Sequence, residues 1–422
     1  MLLIEFVPKI LGAFIASWGE YYLYYFVQEY TKNNKDPIAL DNVDLPWVTL
    51  SLSLLNPFNW YVSTRSFSNN LETTLTIMAL RYWPWNLDIK SKGWFISLAC
   101  GVVSCIIRPT NILIWSSLGI HLMLKTKRLI SLKWILCSFC QVVAILMINT
   151  LLDYLFYKEL TFPVYNFLEF NVFKNLSIFY GVAPWHFYIF QAIPLMMTTY
   201  LPLLIYGLKR DVLLLTSIVY LIGFSVIQHK EFRFIMPLQP LMIYFTARGF
   251  RAVRAKYLIV MGILLNILIA LFFANINERG VMDVVRYLKA ENQSSIGFIM
   301  PCHSTPWQSH FHNRDLDAWF LRCEPPLHLT NPTMNEINVY RDESDQFYDN
   351  PKQFLTMYFN QDLKKMPENI VIFEALEKFI KEEFSGEYYE HKRFFNSYFH
   401  WDDRRNGDVI VYKRITPSSR AR

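Results

Sequence analysis

Apolar stretches of 15 to 25 residues recur from Pro8 to Ala274, separated by short polar segments. Unbroken apolarity over that length is the pattern of helices that cross a bilayer, where each backbone group must find its partner inside the segment. It predicts spans at 8–30, 45–62, 67–84, 93–107, 110–124, 134–157, 186–208, 211–228, 231–247 and 257–274. Pro46, Pro57, Pro109, Pro194, Pro202, Pro237 and Pro240 punctuate them, so several spans are expected to be broken helices. From residue 275 on, acids and bases crowd in and the period changes. There Val281–Ala290 reads as a helix, Ser295–Met300 as a strand, Ile370–Glu383 as an amphipathic helix and Asp408–Lys413 as a strand. The expected architecture is an α-helical polytopic membrane protein of about ten spans, residues 1–274. A small soluble α/β domain, residues 275–422, follows it.

Composition narrows the classes. Of the 422 residues 53% are hydrophobic, 17% aromatic and only 18% charged, which excludes disorder and low-complexity sequence. The net charge of +6 does not gather into a nucleic-acid face. It sits instead in clusters between spans: Lys32 and Lys35, Lys90 and Lys92, Lys125 to Lys133, Lys209 and Arg210, and Arg248 to Lys256. These fall in every second loop, so the positive-inside rule makes those loops cytoplasmic. The N-terminus, the other loops and the C-terminal domain then share the opposite side. The sequons at Asn175 and Asn292 fall on that side and are candidate glycosylation sites. No cleavable signal peptide is expected, because Met1–Phe6 has no basic region and the apolar run continues past Pro8.

Cys100, Cys105, Cys137 and Cys140 lie in apolar segments and read as packing residues, whereas Cys302 and Cys323 lie in the polar domain. If that domain faces an oxidising lumen the two can pair. His303, His310 and His312 beside Cys302 have the look of a zinc cluster, but the oxidising side favours a disulfide, and no metal is expected.

The non-cytoplasmic loops carry the unusual polar residues: Arg65 to Glu72, Arg108-Pro-Thr-Asn111, the aromatic loop 158–185 ending Pro184-Trp185-His186, and His229-Lys-Glu-Phe-Arg233. Ionisable groups at the mouths of apolar helices are expensive and read as a shared functional site. The C-terminal domain has no glycine-rich phosphate loop, which argues against a sugar-nucleotide donor.

At these loops the sequence resembles the glycosylphosphatidylinositol (GPI) mannosyltransferases of glycosyltransferase family 22, which have the GT-C membrane fold. The resemblance rests on His229-Lys-Glu-Phe-Arg-Phe-Ile-Met-Pro237, Arg65-Ser-Phe-Ser-Asn-Asn-Leu-Glu-Thr73 and Ile107-Arg-Pro-Thr110. Met300-Pro-Cys-His-Ser-Thr-Pro306, Ser309-His-Phe-His312, the Tyr180-Gly and Pro184-Trp-His186 motif and Asp342-Glu-Ser-Asp-Gln-Phe-Tyr348 are similar to the branch that adds the third mannose. The resemblance implies a multi-pass enzyme of the endoplasmic reticulum with its C-terminal domain in the lumen. It implies transfer of mannose from dolichyl phosphate mannose to a GPI precursor in α-1,2 linkage, with inversion and without a cofactor. The donor and the GPI glycolipid acceptor would be its partners, in the membrane and without nucleic acid.

A single displacement needs cations for the leaving phosphate and a base for the acceptor hydroxyl. Arg108, Arg65, His229, Lys230 and Arg233 supply charge on the luminal face, and Asn70, Glu72 and His186 are further candidates for substrate contact. Glu72 is equally a partner for Arg65 or a helix cap, and Glu20 reads as structural. Glu231 either joins the site or fastens a neighbouring Arg. Family members carry an additional N-terminal span and a luminal loop whose Asp is the expected base. Residue 1 corresponds to the start of the family's second span. The base is thus unassigned, with Glu5 and Glu231 as the carboxylates in reach, and residues 1–422 by themselves are not expected to transfer mannose. The other readings are a family 22 enzyme of another GPI or N-glycan step, and a non-catalytic or truncated polytopic protein.

Overall fold

The computed structural model describes residues 2–34, 44–126, 132–250, 253, 256–291, 293–306, 308–360 and 366–415. Two compact units result, one of residues 7–270 and one of residues 1–6 with 271–422.

The larger unit is helical. Its helices are α1 (Leu2–Asn33), α2 (Leu45–Leu54), α3 (Pro57–Val62), α4 (Ser68–Tyr82), α5 (Lys92–Ile107), α6 (Ile112–Thr126) and α7 (Leu132–Tyr157). They continue as α8 (Pro163–Leu168), α9 (Ile193–Met197), α10 (Leu201–Gly207), α11 (Val212–Val226), α12 (Gln239–Phe250) and α13 (Lys256–Asn275). Among the described residues three helical segments, Leu132–Tyr157, Tyr188–Gly207 and Tyr257–Ala290, are long and apolar enough to cross a membrane. The remaining helices are shorter, and local chemistry sets where they stop. Asn56 ends the α2 segment and caps α3 ahead of Pro57 by accepting from Asn59 N at 3.1 Å. Ser91 caps α5, and Asp211 caps α11 through Leu213 N and Leu214 N. The stretch 188–207 is broken twice, by a wide turn at Tyr188–Ala192 and a tight one at Thr198–Tyr200. Its freed carbonyl at Met196 is recovered by Asn56 Nδ2 at 2.9 Å.

The core of this unit gathers on α12, where Gln239 to Ala247 are all buried. A Cβ placed on Gly207 would lie 1.8 Å from the Phe245 carbonyl oxygen, and one on Gly249 would lie 1.9 Å from that of Leu203. Helices α10 and α12 therefore cross backbone to backbone, a contact that only glycine permits. By contrast α7 has no buried residue, as expected of a helix whose surroundings are hydrocarbon.

The second unit is a five-stranded mixed sheet in the order β2-β1-β3-β5-β4. Its strands are β1 (Ser295–Phe298), β2 (Asp317–Phe320), β3 (Asn369–Phe373), β4 (Tyr388–Phe394) and β5 (Val409–Arg414). The β2-β1-β3 part is parallel and the β3-β5-β4 part antiparallel. Helix α14 (Gly280–Ala290) lays Val284, Val285 and Leu288 on one face, against Ile296, Phe298, Val371 and Val411. The other face is filled by Ile299, Phe347, Phe354, Ile370, Ile372 and Ile410.

One sequence expectation fails here. Ile370–Glu383 is not one helix: its first residues belong to the central strand β3, and only Glu377–Glu383 is α-helical. All five residues of β3 are buried. A strand covered on both faces carries no alternation, so Ile-Val-Ile-Phe merges into the helical period that follows it. The edge strands β2 and β4 also escape the pattern, being short or largely exposed.

Cys302, just beyond β1, is bridged to Cys323, just beyond β2, and the bridge closes a segment of 21 residues. Non-reduced peptide mapping of protein from native membranes is expected to recover the linked pair. Replacing both cysteines by serine is expected to cost about 3 kcal/mol, read as protease resistance of residues 271–422 in the full chain. Two free thiols in the native protein would refute the bridge.

Candidate active site

Helix α5 stops at Arg108 because Pro109 follows. The residue before proline is pushed to an extended conformation, and Arg108 adopts it with φ −143° and ψ 107°. That geometry turns the arginine out of the helix at its last turn. Opposite it, α4 places Asn69, Glu72 and Thr76 on one face, since residues three and four apart align on a helix.

Glu72 is the centre of the resulting cluster, and its side chain is 0% exposed. Its Oε2 lies 3.4 Å from Arg108 Nε, and its Oε1 accepts from Asn111 Nδ2 at 2.9 Å. Asn69 Nδ2 approaches Oε2 at 3.4 Å and also donates to the Arg233 carbonyl at 3.1 Å. Asn111 in turn donates to Thr76 Oγ1 and accepts from Ser104 Oγ. The Arg108 guanidinium rests 5.1 Å from the Phe234 ring, whose carbonyl is held by Tyr220. Its two Nη groups have no partner among the described residues, and the side chain keeps 16% of its surface. One edge of the arginine is thus fixed and the other open to an anion.

Beside it lies the 229–233 loop, outside the helices. Arg233 forms a two-contact ion pair with Glu231, Nε to Oε2 at 2.5 Å and Nη2 to Oε1 at 2.9 Å. His229 places Nδ1 2.8 Å from the Gly181 carbonyl oxygen and Nε2 3.2 Å from Glu231 Oε1. Burial alone would raise the Glu231 carboxyl, but the hydrogen bonds and charges of His229 and Arg233 outweigh it and hold the group down at about 2. A carboxylate so held is a weak proton acceptor and a good anchor. Lys230 is buried, and its ammonium donates to backbone carbonyls rather than facing the opening.

The other sequence candidates scatter. Arg65 sits 3.9 Å over the Tyr61 ring and donates to that residue's carbonyl. Asn70 donates to the Val62, Ser63 and Arg65 carbonyls and so builds the turn before α4. Glu72 pairs with Arg108 and not with Arg65. His186 stands between Trp185 and Phe190, with Nδ1 buried and unpartnered among the described residues. Glu20 accepts from Ser53 Oγ at 2.7 Å. Asn175 sits in a left-handed turn, and its sequon Ser177 is buried. Asn292 and the Glu5 side chain lie outside the described residues. His303 lies near both cysteines, but their sulfurs are joined to each other. Asn69, Thr76, Ser104 and Phe234 join the cluster without standing out in the sequence, although the 69/72/76 spacing of polar residues is legible there.

A bundle of apolar, broken helices and a small mixed sheet make up the fold, and the Arg108 cluster is its candidate anion site. The fold is that of ArnT from Cupriavidus metallidurans. Its apo structure superposes with a TM-score of 0.54 at 8% identity, over 96% of this chain and 83% of that one. The structure of the same protein bound to undecaprenyl phosphate gives 0.54 and 9%, over 97% and 84%. Residues 2–312 match the Alg9-like mannosyltransferase family, to which this chain belongs. Its relatives include GPI mannosyltransferase 3 of Candida albicans, 60% identical over 96% of this chain and 82% of that protein. The same-named proteins of Debaryomyces hansenii and Saccharomyces cerevisiae are 50% and 35% identical, each over 97% of this chain and over 78% and 76% of their own lengths.

Removing one member of the Glu72–Arg108 pair leaves the other charge buried and uncompensated. Glu72→Ala is expected to destabilise the protein by about 3–5 kcal/mol. Glu72→Gln, which keeps an acceptor for Asn111, is expected to cost clearly less. Thermal unfolding in detergent orders the two, and equal losses would mean that the lost charge, common to both variants, sets the cost and the Asn111 hydrogen bond adds nothing.

Proposed function

We infer that this chain is a GPI mannosyltransferase that takes mannose from dolichyl phosphate mannose and adds the third mannose, α-1,2-linked, to a GPI precursor. The single observation that carries the site reading is Arg108, locked by Glu72 and Phe234 with both Nη groups uncommitted. The bond broken joins the mannose anomeric carbon to the phosphate oxygen, and the bond formed joins that carbon to an acceptor hydroxyl oxygen. The electron pair departs with the phosphate, so a preorganised guanidinium beside it lowers the barrier, and the acceptor hydroxyl gives its proton to a base as the new bond forms. ArnT binds undecaprenyl phosphate, a polyprenyl phosphate of the same kind as the dolichyl phosphate that leaves in this reaction. Arg233, steadied by Glu231, is the second cation of this reading. Displacement from a β-linked donor gives the α product with inversion, and the donor's own phosphoester makes a cofactor unnecessary. Glu231, paired and strongly acidic, serves Arg233 rather than the acceptor proton.

The gene, expressed together with its upstream genomic sequence, is expected to restore GPI anchoring in cells that lack the third mannosyltransferase, and lipid analysis of those cells should show the two-mannose precursor disappearing. Arg108→Ala is expected to lower transfer roughly 100- to 1,000-fold at normal protein level, the usual loss for one preorganised donor. Transfer at the unmodified rate would remove Arg108 from the site.

In this reading the enzyme lies in the endoplasmic reticulum membrane with residues 271–422 in the lumen. The support is the alternation of basic loops, which puts Lys90, Lys125 and Lys209 in the cytoplasm. A glycosylation tag after Arg422 is expected to be modified. An unmodified tag that protease removes from intact microsomes would reverse the topology.

A further inference from the structure

We infer that Lys230 is a positioning residue, whose ammonium group fastens the loop ending at His186 to the loop carrying Arg233 and does not touch the donor phosphate. The inference rests on the donor site proposed above. Lys230 is only 9% exposed. Its Nζ donates to the Ala183 carbonyl at 2.9 Å, to the Ile227 carbonyl, and to the Gln228 carbonyl at 3.5 Å. An ammonium has three hydrogens, and three carbonyls take them, so none is left for an anion. Among the described residues no carboxylate lies within ion-pair distance of Nζ, which a residue placed for charge alone would be expected to have.

The acceptors explain the placement. Ile227 is the residue at which α11 ends, and the last carbonyls of a helix lack partners within it. A lysine reaching back to them satisfies the orphaned oxygens and meets the negative end of the helix dipole. By also reaching Ala183 it ties that helix end to a loop some 45 residues earlier in the chain. Parallel links run alongside: Ala183 N to the Gln228 carbonyl at 3.1 Å and His229 Nδ1 to the Gly181 carbonyl at 2.8 Å. His186 follows the staple by three residues on one strand of chain, and Arg233 follows it by three on the other. The staple therefore sets how far apart those two side chains can stand.

The test separates hydrogen bonding from charge in the full chain in native membranes. Lys230→Gln keeps amide donors and removes the charge, Lys230→Met removes both, and Lys230→Arg keeps the charge. The readouts are the KM for dolichyl phosphate mannose and maleimide labelling of Ser177→Cys, a position only 2% exposed in the closed loop. Lys230→Met is expected to raise labelling and KM about tenfold, the scale of one buried carbonyl left unpaired, with Lys230→Gln close to the unsubstituted protein. Arg108→Ala is expected to leave labelling unchanged. Protection of the cysteine in Lys230→Met overturns the inference, as does activity restored by Arg but not by Gln, the pattern of a phosphate contact. If Lys230→Met does not accumulate, the comparison of Gln with Arg decides alone. The labelling needs no turnover, so it holds even if the mannose assignment fails.

Discussion

The buried pair of Glu72 and Arg108 is the constraint around which the larger unit is arranged. A carboxylate with no exposed surface is tolerable only when charge and hydrogen bonds surround it. Arg108, Asn111 and Asn69 supply them. Those partners come from α4, the end of α5 and the turn before α6, so satisfying one carboxylate fixes three elements at once. Asn69 extends the tie to the Arg233 carbonyl. What the pair contributes is placement: two apolar groups could fill the same space without its desolvation cost, but they would leave no oriented guanidinium there.

The 229–233 loop handles its charges by the same rule with different partners. Glu231 takes up Arg233 and one nitrogen of His229, while Lys230 is taken up by main-chain oxygens. Of the five basic residues that sequence placed on this face, Arg108 and Arg65 keep both Nη groups unengaged among the described residues, and of these two only Arg108 is held by a buried carboxylate. Arg65 is exposed and rests on Tyr61. Basic residues gathered on one face are therefore not interchangeable, because several of them hold the backbone around the one that is left open.

The soluble unit shows a second economy. Its parallel strands β2 and β1 are extended by Cys323 and Cys302, and the bridge closes their ends where the sheet has no further strand to add. A short edge strand such as β2 has few ladder bonds of its own. A covalent tie at its exit compensates for that in a unit otherwise held by two thin apolar layers.

Sequence alone determined the membrane class, the positions of the apolar segments and the change of texture near residue 275. Apolar length and proline placement are local properties, and the bilayer reads them one segment at a time. It also brought the right motifs into view, because charged groups at helix mouths stand out against apolar neighbours. It could not say which charge meets which. In the sequence Glu72 read as a partner for Arg65, seven residues away, or as a helix cap, and only the packing of α4 on α5 gave it Arg108. It could not separate Lys230 from Arg233, since two cations in one loop differ only in what lies opposite them. Nor could it find β3, whose residues are uniformly apolar because sheet and helix cover both faces. Such choices depend on contacts between residues distant in the chain, and those exist only once the helices have packed.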